Sequence, residues 1–340
     1  MDTTRINKLI TDAMESGMFP GGAISIGDKN GELFRNHYGK RALYPEVLPL
    51  DESTLFDLAS LTKIISTTMV ALVLIEAGKL SLDDTLDKFF DTPVDKKHIN
   101  IHHLMTHTSG LPAHEPLYEL LKSPEDVYAK ILEFPLLFEA NTNVVYSCLG
   151  FILLGKICEM AGGARLDELA ERYVFKPLGL KTAAYKPSAS VHTFASTEYC
   201  PVLKEHLCGV VHDENARFMG GISGNAGLFA DIDDCAALAI MYARKGSGIV
   251  SEELFDKAVT NHTSHCEEGR GLGFVVKENE VWRFYGHTGF TGTSIFIDAD
   301  TSQYIVFLTN RVHPTRENIR LVDFRGVVHA CCVEEYRKGR

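Results

Sequence analysis

The chain reads as an α+β fold, an α/β sandwich. An antiparallel sheet is flanked by N- and C-terminal helices, and an all-helical lobe is inserted between its strands. Three observations predict this. Strand-like runs at residues 21–27 and 31–38 flank Asp28-Lys29-Asn30-Gly31, and an Asn-Gly between two such runs is a strong hairpin signal. Helical spacing of apolar residues then dominates from Leu58 to about Ala170. Strand character returns in four runs near the end of the chain, at 273–277, 281–285, 294–299 and 303–308. An antiparallel sheet must cover its faces, and helices at the two chain ends are the natural cover for one of them.

Taken in order, Ile6, Leu9, Ile10 and Met14 share one helical side over residues 4–16, and Gly17 stops that helix. After the hairpin, the apolar run from Ile64 to Glu76 forms a buried helix closed by Gly78. Further helices are expected at 99–112, ending in a Ser-Gly turn, at 124–134, at 146–161, and at 165–173, halted by Pro177 and Gly179. Residues 185–215 are irregular, 219–229 are glycine-rich, 233–244 are helical, and 316–337 make the closing helix. The economical division places 1–57 and 215–340 in a discontinuous sheet lobe and 58–214 in a mostly helical lobe, with an active site in the cleft between them.

Composition narrows the function classes. The chain has 340 residues, 45% hydrophobic and 23% charged, with a net charge of −11. An acidic chain without a basic block disfavours nucleic acid and anionic membrane surfaces as partners. A small molecule or a peptide is the expected partner, and no obligate protein partner is evident. The start, Met1-Asp2-Thr3-Thr4-Arg5, lacks the basic-then-apolar pattern of a secretory leader, and the longest apolar run is too short to cross a bilayer. The eight cysteines, at 148, 158, 200, 208, 235, 266, 331 and 332, contain no C-x-x-C pair. Reduced thiols and a cytoplasmic setting follow as expectations, unless the N-terminus was trimmed. No cofactor is implied.

The chemistry concentrates at Asp57-Leu58-Ala59-Ser60-Leu61-Thr62-Lys63. Residues three apart share a helical face, so the Lys63 amine reaches the Ser60 hydroxyl. The positive end of a helix favours a developing alkoxide, and the same field together with burial favours a neutral Lys63. That is the minimal kit of an activated serine nucleophile. Tyr146-Ser147-Cys148 follows the Asn141-Thr142-Asn143 turn and offers a phenol to pass a proton. Gly286-His287-Thr288-Gly289, then Phe290-Thr291-Gly292, combines a strand end with glycines that let a ligand approach the backbone.

In this order and spacing, Ser60-x-x-Lys63, Tyr146-Ser147-x and His287-Thr288-Gly289 resemble the three motifs of the serine β-lactamase and penicillin-binding protein-like family. The likeness points to its class C β-lactamase-like branch, which also holds D-alanyl-D-alanine peptidases, D-aminopeptidases and esterases. Residues 104–112, 176–180 and 224–229 match as well. The resemblance implies a β-lactamase/transpeptidase-like fold and an acyl-enzyme on Ser60, with Lys63 and Tyr146 sharing acid and base duties. It also implies an oxyanion hole from the backbone N–H groups of Ser60 and Phe290, and a substrate strand lined by His287, Thr288 and Gly289. The implied function is a serine hydrolase acting on a β-lactam, a D-amino-acid peptide or a carboxylic ester.

Two departures stand out. Cys148 replaces the usual asparagine of the second motif, and His287 replaces the lysine many members carry in the third. As a cation, His287 would hold a substrate carboxylate and KM would rise above about pH 6.5. Both changes lean towards an esterase-like or peptidase-like relative. The alternatives are a non-catalytic sensor or scaffold of the same fold, and a metallohydrolase using His102, His103 and His107, for which the H-E-x-x-H pattern is missing.

Overall fold

The computed structural model describes residues 2–278 and 283–338. The hairpin forms where Asn30-Gly31 marks it: Gly21–Asp28 pairs antiparallel with Gly31–Ala42, and Asp28 faces Gly31 across the tip. Seven strands build the main sheet in the order Val275–Glu278, Arg283–Thr288, Ser294–Asp298, Tyr304–Thr309, Gly21–Asp28, Gly31–Ala42 and Leu48–Pro49. The two ends of the chain meet at its centre, where Ile24 pairs with Phe307 and Ile26 with Ile305.

Period-2 alternation sends these strands' side chains to two different cores. Ile24, Ile26, Ile305 and Phe307 pack against Ile6 and Ile10 of the N-terminal helix Thr4–Glu15 and against Phe324 and Val328 of the C-terminal helix Leu321–Lys338. The terminal helices therefore cover one face, as the sequence implied. Ala23, Ile295, Ile297, Val306 and Leu308 face the other core, which is closed by the helix Ile232–Ala243 through Leu238, Ala239 and Tyr242. Full burial of each Ile, Leu or Phe contributes about 1.5–3 kcal/mol relative to exposure.

Several sequence expectations need correction. The closing helix begins at Leu321 rather than 316, because residues 311–320 are tied down as a loop. There Arg311 donates to the carbonyls of Arg316 and Asn318, and Asn318 donates to those of Gly17 and Met18. The helix expected over 99–112 is only Ile101–Met105, since His107 (φ 59°) and Gly110 (φ 80°) adopt the left-handed region. The helix expected at 146 starts at Cys148, one residue after its cap Ser147, and runs to Gly162. The helix from 165 continues past Tyr173 through a π turn, Glu171–Phe175, to Leu178, and Gly179 (φ 67°) ends it. Of the strand expected at 281–285, residues 281 and 282 lie outside the described residues, and Arg283–Thr288 carries His287 within the strand.

A second sheet was not anticipated. Thr54–Asp57 lies between Leu228–Ala230 and Thr193–Phe194, with Ala184–Tyr185 on the outer edge. Strands of two to four residues carry too little alternation to be read from sequence. This small sheet matters because Thr54–Asp57 delivers the chain to Ser60.

Candidate active site

Asp57 ends that strand fully enclosed. Its Oδ1 accepts the Ala59 N–H at 2.8 Å, and its Oδ2 accepts the His212 N–H at 2.7 Å. The first bond closes a tight turn in which Ala59 takes φ 46°, an uncommon conformation for a residue with a side chain. That turn throws Ser60, which is half-buried, onto the start of the following helix, where Lys63 N–H donates to the Ser60 carbonyl at 3.1 Å. Asp57→Ala would leave two enclosed N–H groups unpaired. It is expected to lower stability by about 2–4 kcal/mol in a urea titration.

Lys63 is completely buried at the first position of a π-helical segment, Lys63–Thr68, which passes into the α-helix Met69–Glu76. Such segments recur at functional sites, where they re-aim side chains. Lys63 Nζ donates to Ser60 Oγ at 3.0 Å, to the Asn225 carbonyl at 3.0 Å and to Cys148 Sγ at 3.6 Å, and it lies 4.9 Å from the centre of the Tyr146 ring. Asn225 is brought this close by a backbone-to-backbone contact. A Cβ on Gly224 would stand 2.0 Å from the Phe151 carbonyl and 2.9 Å from Gly155 Cα, so both glycines are needed for the loop to dock on the helix. Burial works against the Lys63 ammonium, but Cys148, Tyr146 and Asp213 more than offset it and hold the group above the ordinary lysine value. The expectation of a neutral Lys63 is thus corrected. Burial also raises the Tyr146 phenol, against an opposing pull from Lys63. At neutral pH the resting pair is an ammonium and a phenol.

Tyr146 sits just before the helix Cys148–Gly162. Ser147 caps that helix by accepting the Gly150 N–H at 3.1 Å, and it donates to the Pro112 carbonyl at 2.6 Å, so its hydroxyl is committed to structure. The Ser147 N–H donates to His107 Nδ1 at 3.0 Å, which puts the proton of that neutral imidazole on Nε2. The His107 ring lies tilted against the Tyr146 ring, 4.7 Å between centres, and burial pushes its imidazole well below the usual histidine range. The Tyr146 hydroxyl is buried without a partner of hydrogen-bond geometry, with Lys63 and Ser60 as its polar neighbours.

The strand Arg283–Thr288 and the turn after it supply the opposite wall. Thr291 Oγ1 donates to the Asp57 carbonyl at 2.7 Å and Thr293 Oγ1 to the Leu58 carbonyl at 3.1 Å. Gly289 lies against the same segment, where a Cβ would stand 2.5 Å from the Leu58 oxygen. These contacts fix the Phe290 turn beside Ser60, and neither the Ser60 nor the Phe290 backbone N–H donates a hydrogen bond among the described residues. The Phe290 ring is half exposed and stacks on His212 at 5.5 Å.

His287 does not carry the charge expected of it. It is 2% exposed, and burial, with Lys63 and Arg270 adding like-charge repulsion, lowers it to about 3. Its Nδ1 donates to the Thr288 carbonyl at 2.7 Å, so Nε2 carries a lone pair. A neutral imidazole cannot anchor a carboxylate by charge. KM for an anionic substrate is therefore expected to show no His287 inflection between pH 5.5 and 8, and an inflection that disappears in His287→Gln would contradict this.

The remaining histidines of the metal reading are engaged elsewhere. His103 Nδ1 accepts the Asn100 N–H, and His102 pairs with His262 at 3.3 Å. Among the described residues no three metal-ligating groups converge. No helix among them is long and apolar enough to cross a membrane.

The structure therefore brings Ser60, Lys63, Tyr146 and Cys148 together and places His287, Thr288, Gly289 and Phe290 along the facing strand and turn. Sequence reasoning missed the parts played in this geometry by Asp57, His107, Asn225, Thr291 and Thr293. A usable signal existed only for Asp57, an aspartate two residues before a turn, which favours a side-chain bond to the N–H two positions on.

Comparison with known proteins follows this geometry. Residues 6–329 match the Beta-lactamase family model. A putative D-alanyl-D-alanine carboxypeptidase of Salmonella enteritidis is 32% identical over 324 residues, spanning 82% of this chain and 74% of that protein. Its counterpart in Salmonella typhimurium is 31% identical over the same spans. An octameric penicillin-binding protein homologue from Pyrococcus abyssi superposes with a TM-score of 0.79 at 23% identity, covering 97% of this chain and 78% of that one. A hydrolase described as having promiscuous acyltransferase activity gives 0.76 at 23% identity, with 91% and 93% covered. These two likenesses show the fold. On the family match and the carboxypeptidase relatives together, the chain belongs to the beta-lactamase family.

Proposed function

We propose that the protein is a serine hydrolase that cleaves an ester or amide through an acyl-enzyme on Ser60. The carrying observation is the 3.0 Å bond from Lys63 Nζ to Ser60 Oγ at the start of a buried helix. A fully buried lysine is costly to keep, and here its hydrogen bonds go to the Ser60 hydroxyl, a backbone carbonyl and a thiol. Residues 1–57 with 215–340, and residues 58–214, are taken as the two lobes bordering the substrate cleft.

The reaction follows from the groups present. Loss of one proton from the Lys63–Tyr146 pair leaves a base beside Ser60. That base takes the Ser60 proton as Oγ bonds to the carbonyl carbon, and the N–H groups of Ser60 and Phe290 receive the developing oxyanion. The same base returns the proton to the departing alcohol or amine, and water then attacks the acyl-enzyme by the reverse sequence of proton transfers.

For the substrate, the relatives' name suggests D-alanyl peptides and one structural neighbour's description suggests acyl transfer. The neutral His287 and the missing amide at Cys148 favour carboxylic esters and D-amino-acid derivatives over β-lactams. The purified protein is expected to hydrolyse p-nitrophenyl acetate and short D-peptide esters at least about tenfold faster in kcat/KM than nitrocefin. Equal or better turnover of nitrocefin would reverse that order.

A further inference from the structure

Two cations lie over the ring of Tyr146. One is Lys63, at 4.9 Å, and the other is Arg270, whose guanidinium carbon lies 5.5 Å from the ring centre. Arg270 is 6% exposed, and its backbone is pinned on both sides: its N–H donates to Thr263 Oγ1 at 2.8 Å and its carbonyl accepts the His262 N–H at 2.7 Å. Its Nε and Nη2 donate to Glu268 Oε2, while Nη1 is buried with no partner. Glu268 is 61% exposed, so water screens its compensation of the guanidinium charge.

We infer that Arg270 is a positioning residue of the active site: held over the Tyr146 ring, it favours the phenolate and so sets the pH at which Ser60 can be deprotonated. The inference rests on the acyl-enzyme reading above. A cation held near a phenol favours the ionised form, and a ring quadrupole adds to the attraction. His287, on the facing strand 5.6 Å from the Tyr146 ring, is neutral and supplies no such charge.

The charged and titratable groups around Tyr146 come from every element packed on it. Lys63 projects from the nucleophile helix, Cys148 from the helix that follows Tyr146, His107 from the loop after Ile101–Met105, and His287 from the strand Arg283–Thr288. Asp213 acts on Lys63, and Glu268 acts on Arg270. The reach of the Arg270 charge shows in both imidazoles. After burial, Arg270 is the next cause lowering His107, and it follows burial and Lys63 in lowering His287. With both imidazoles neutral, Lys63 and Arg270 are the two cations that lie within about 6 Å of the Tyr146 ring centre among the described residues.

Because Lys63 and Tyr146 titrate as a pair, the observable is the apparent pKa of the pair. The proton lost from it goes to solvent, and the phenolate left behind takes the Ser60 proton as the Oγ–acyl bond forms. At this separation a partly screened charge shifts such a pKa by about one pH unit.

The test uses the full chain in two arms. In the first, protein labelled with ¹³Cζ-tyrosine is titrated by NMR, with the Tyr146 resonance identified by its loss in Tyr146→Phe, so no turnover is needed. In the second, kcat/KM for p-nitrophenyl acetate is followed from pH 6 to 10.5. Arg270→Gln is expected to move the resonance titration up by about one pH unit and to lower kcat/KM about tenfold along the rising limb, and Arg270→Lys to recover at least half of each change. Glu268→Gln alters an exposed side chain, and it is expected to move both in the opposite direction; it carries the test by itself should Arg270→Gln fail to fold. An unmoved Tyr146 titration in the folded variants overturns the inference. A Tyr146 titration that moves in the variants, together with a wild-type protein that hydrolyses no ester, keeps the inference about the phenol and overturns the hydrolase reading instead.

Discussion

Ser60→Ala is expected to lower kcat for p-nitrophenyl acetate by at least about 10⁴-fold, to the level of hydrolysis in buffer, with the urea midpoint unchanged within error. The size of the effect follows from there being no substitute nucleophile in position. The neighbouring hydroxyl at Ser147 is bonded to the Pro112 carbonyl and the Gly150 N–H, and the thiol of Cys148 faces Lys63 rather than a free acceptor site. Folding should be spared because Ser60 is half-buried, and its side-chain hydrogen bond comes from Lys63, which also donates to the Asn225 carbonyl. Residual turnover above about one-tenth of wild type would place the nucleophile elsewhere.

Lys63→Met is expected to lower kcat by about 10²–10⁴-fold, the range associated with loss of a positioned acid or base. Stability should move by no more than about 2 kcal/mol in either direction. Removing a buried charge relieves desolvation, while the Asn225 carbonyl loses its donor, and the two effects oppose each other. Methionine nearly conserves the volume of the lysine stem beside Phe151 and Tyr146. A variant that loses activity while its melting curve stays in place separates a chemical role from a structural one. Parallel loss of both would make Lys63 a scaffold residue.

Much of this architecture was legible because its signals are local. The Asn30-Gly31 turn, the helical periodicity of Ile6 and Ile10, and the four C-terminal strand runs all act over a few residues, and each formed close to its expected place. The meeting of Ser60 with Lys63 was legible for the same reason: residues three apart share a helical face by geometry alone. What was not legible depends on distant pairing. The short strand Thr54–Asp57 forms only because residues 193–194 and 228–230 close around it. The charge state of His287 was misjudged because burial, which lowers it to about 3, is a property of the assembled walls. Arg270 lies 124 positions from Tyr146 in sequence, and no spacing rule connects them.

The account depends on a covalent bond at Ser60. Intact-protein mass spectrometry, after brief exposure to p-nitrophenyl acetate and acid quench, should show one added acetyl group, and peptide mapping should place it within residues 57–63. The adduct should be absent from Ser60→Ala. Acetylation confined to surface lysines, or equal labelling of the Ser60→Ala protein, would contradict the account.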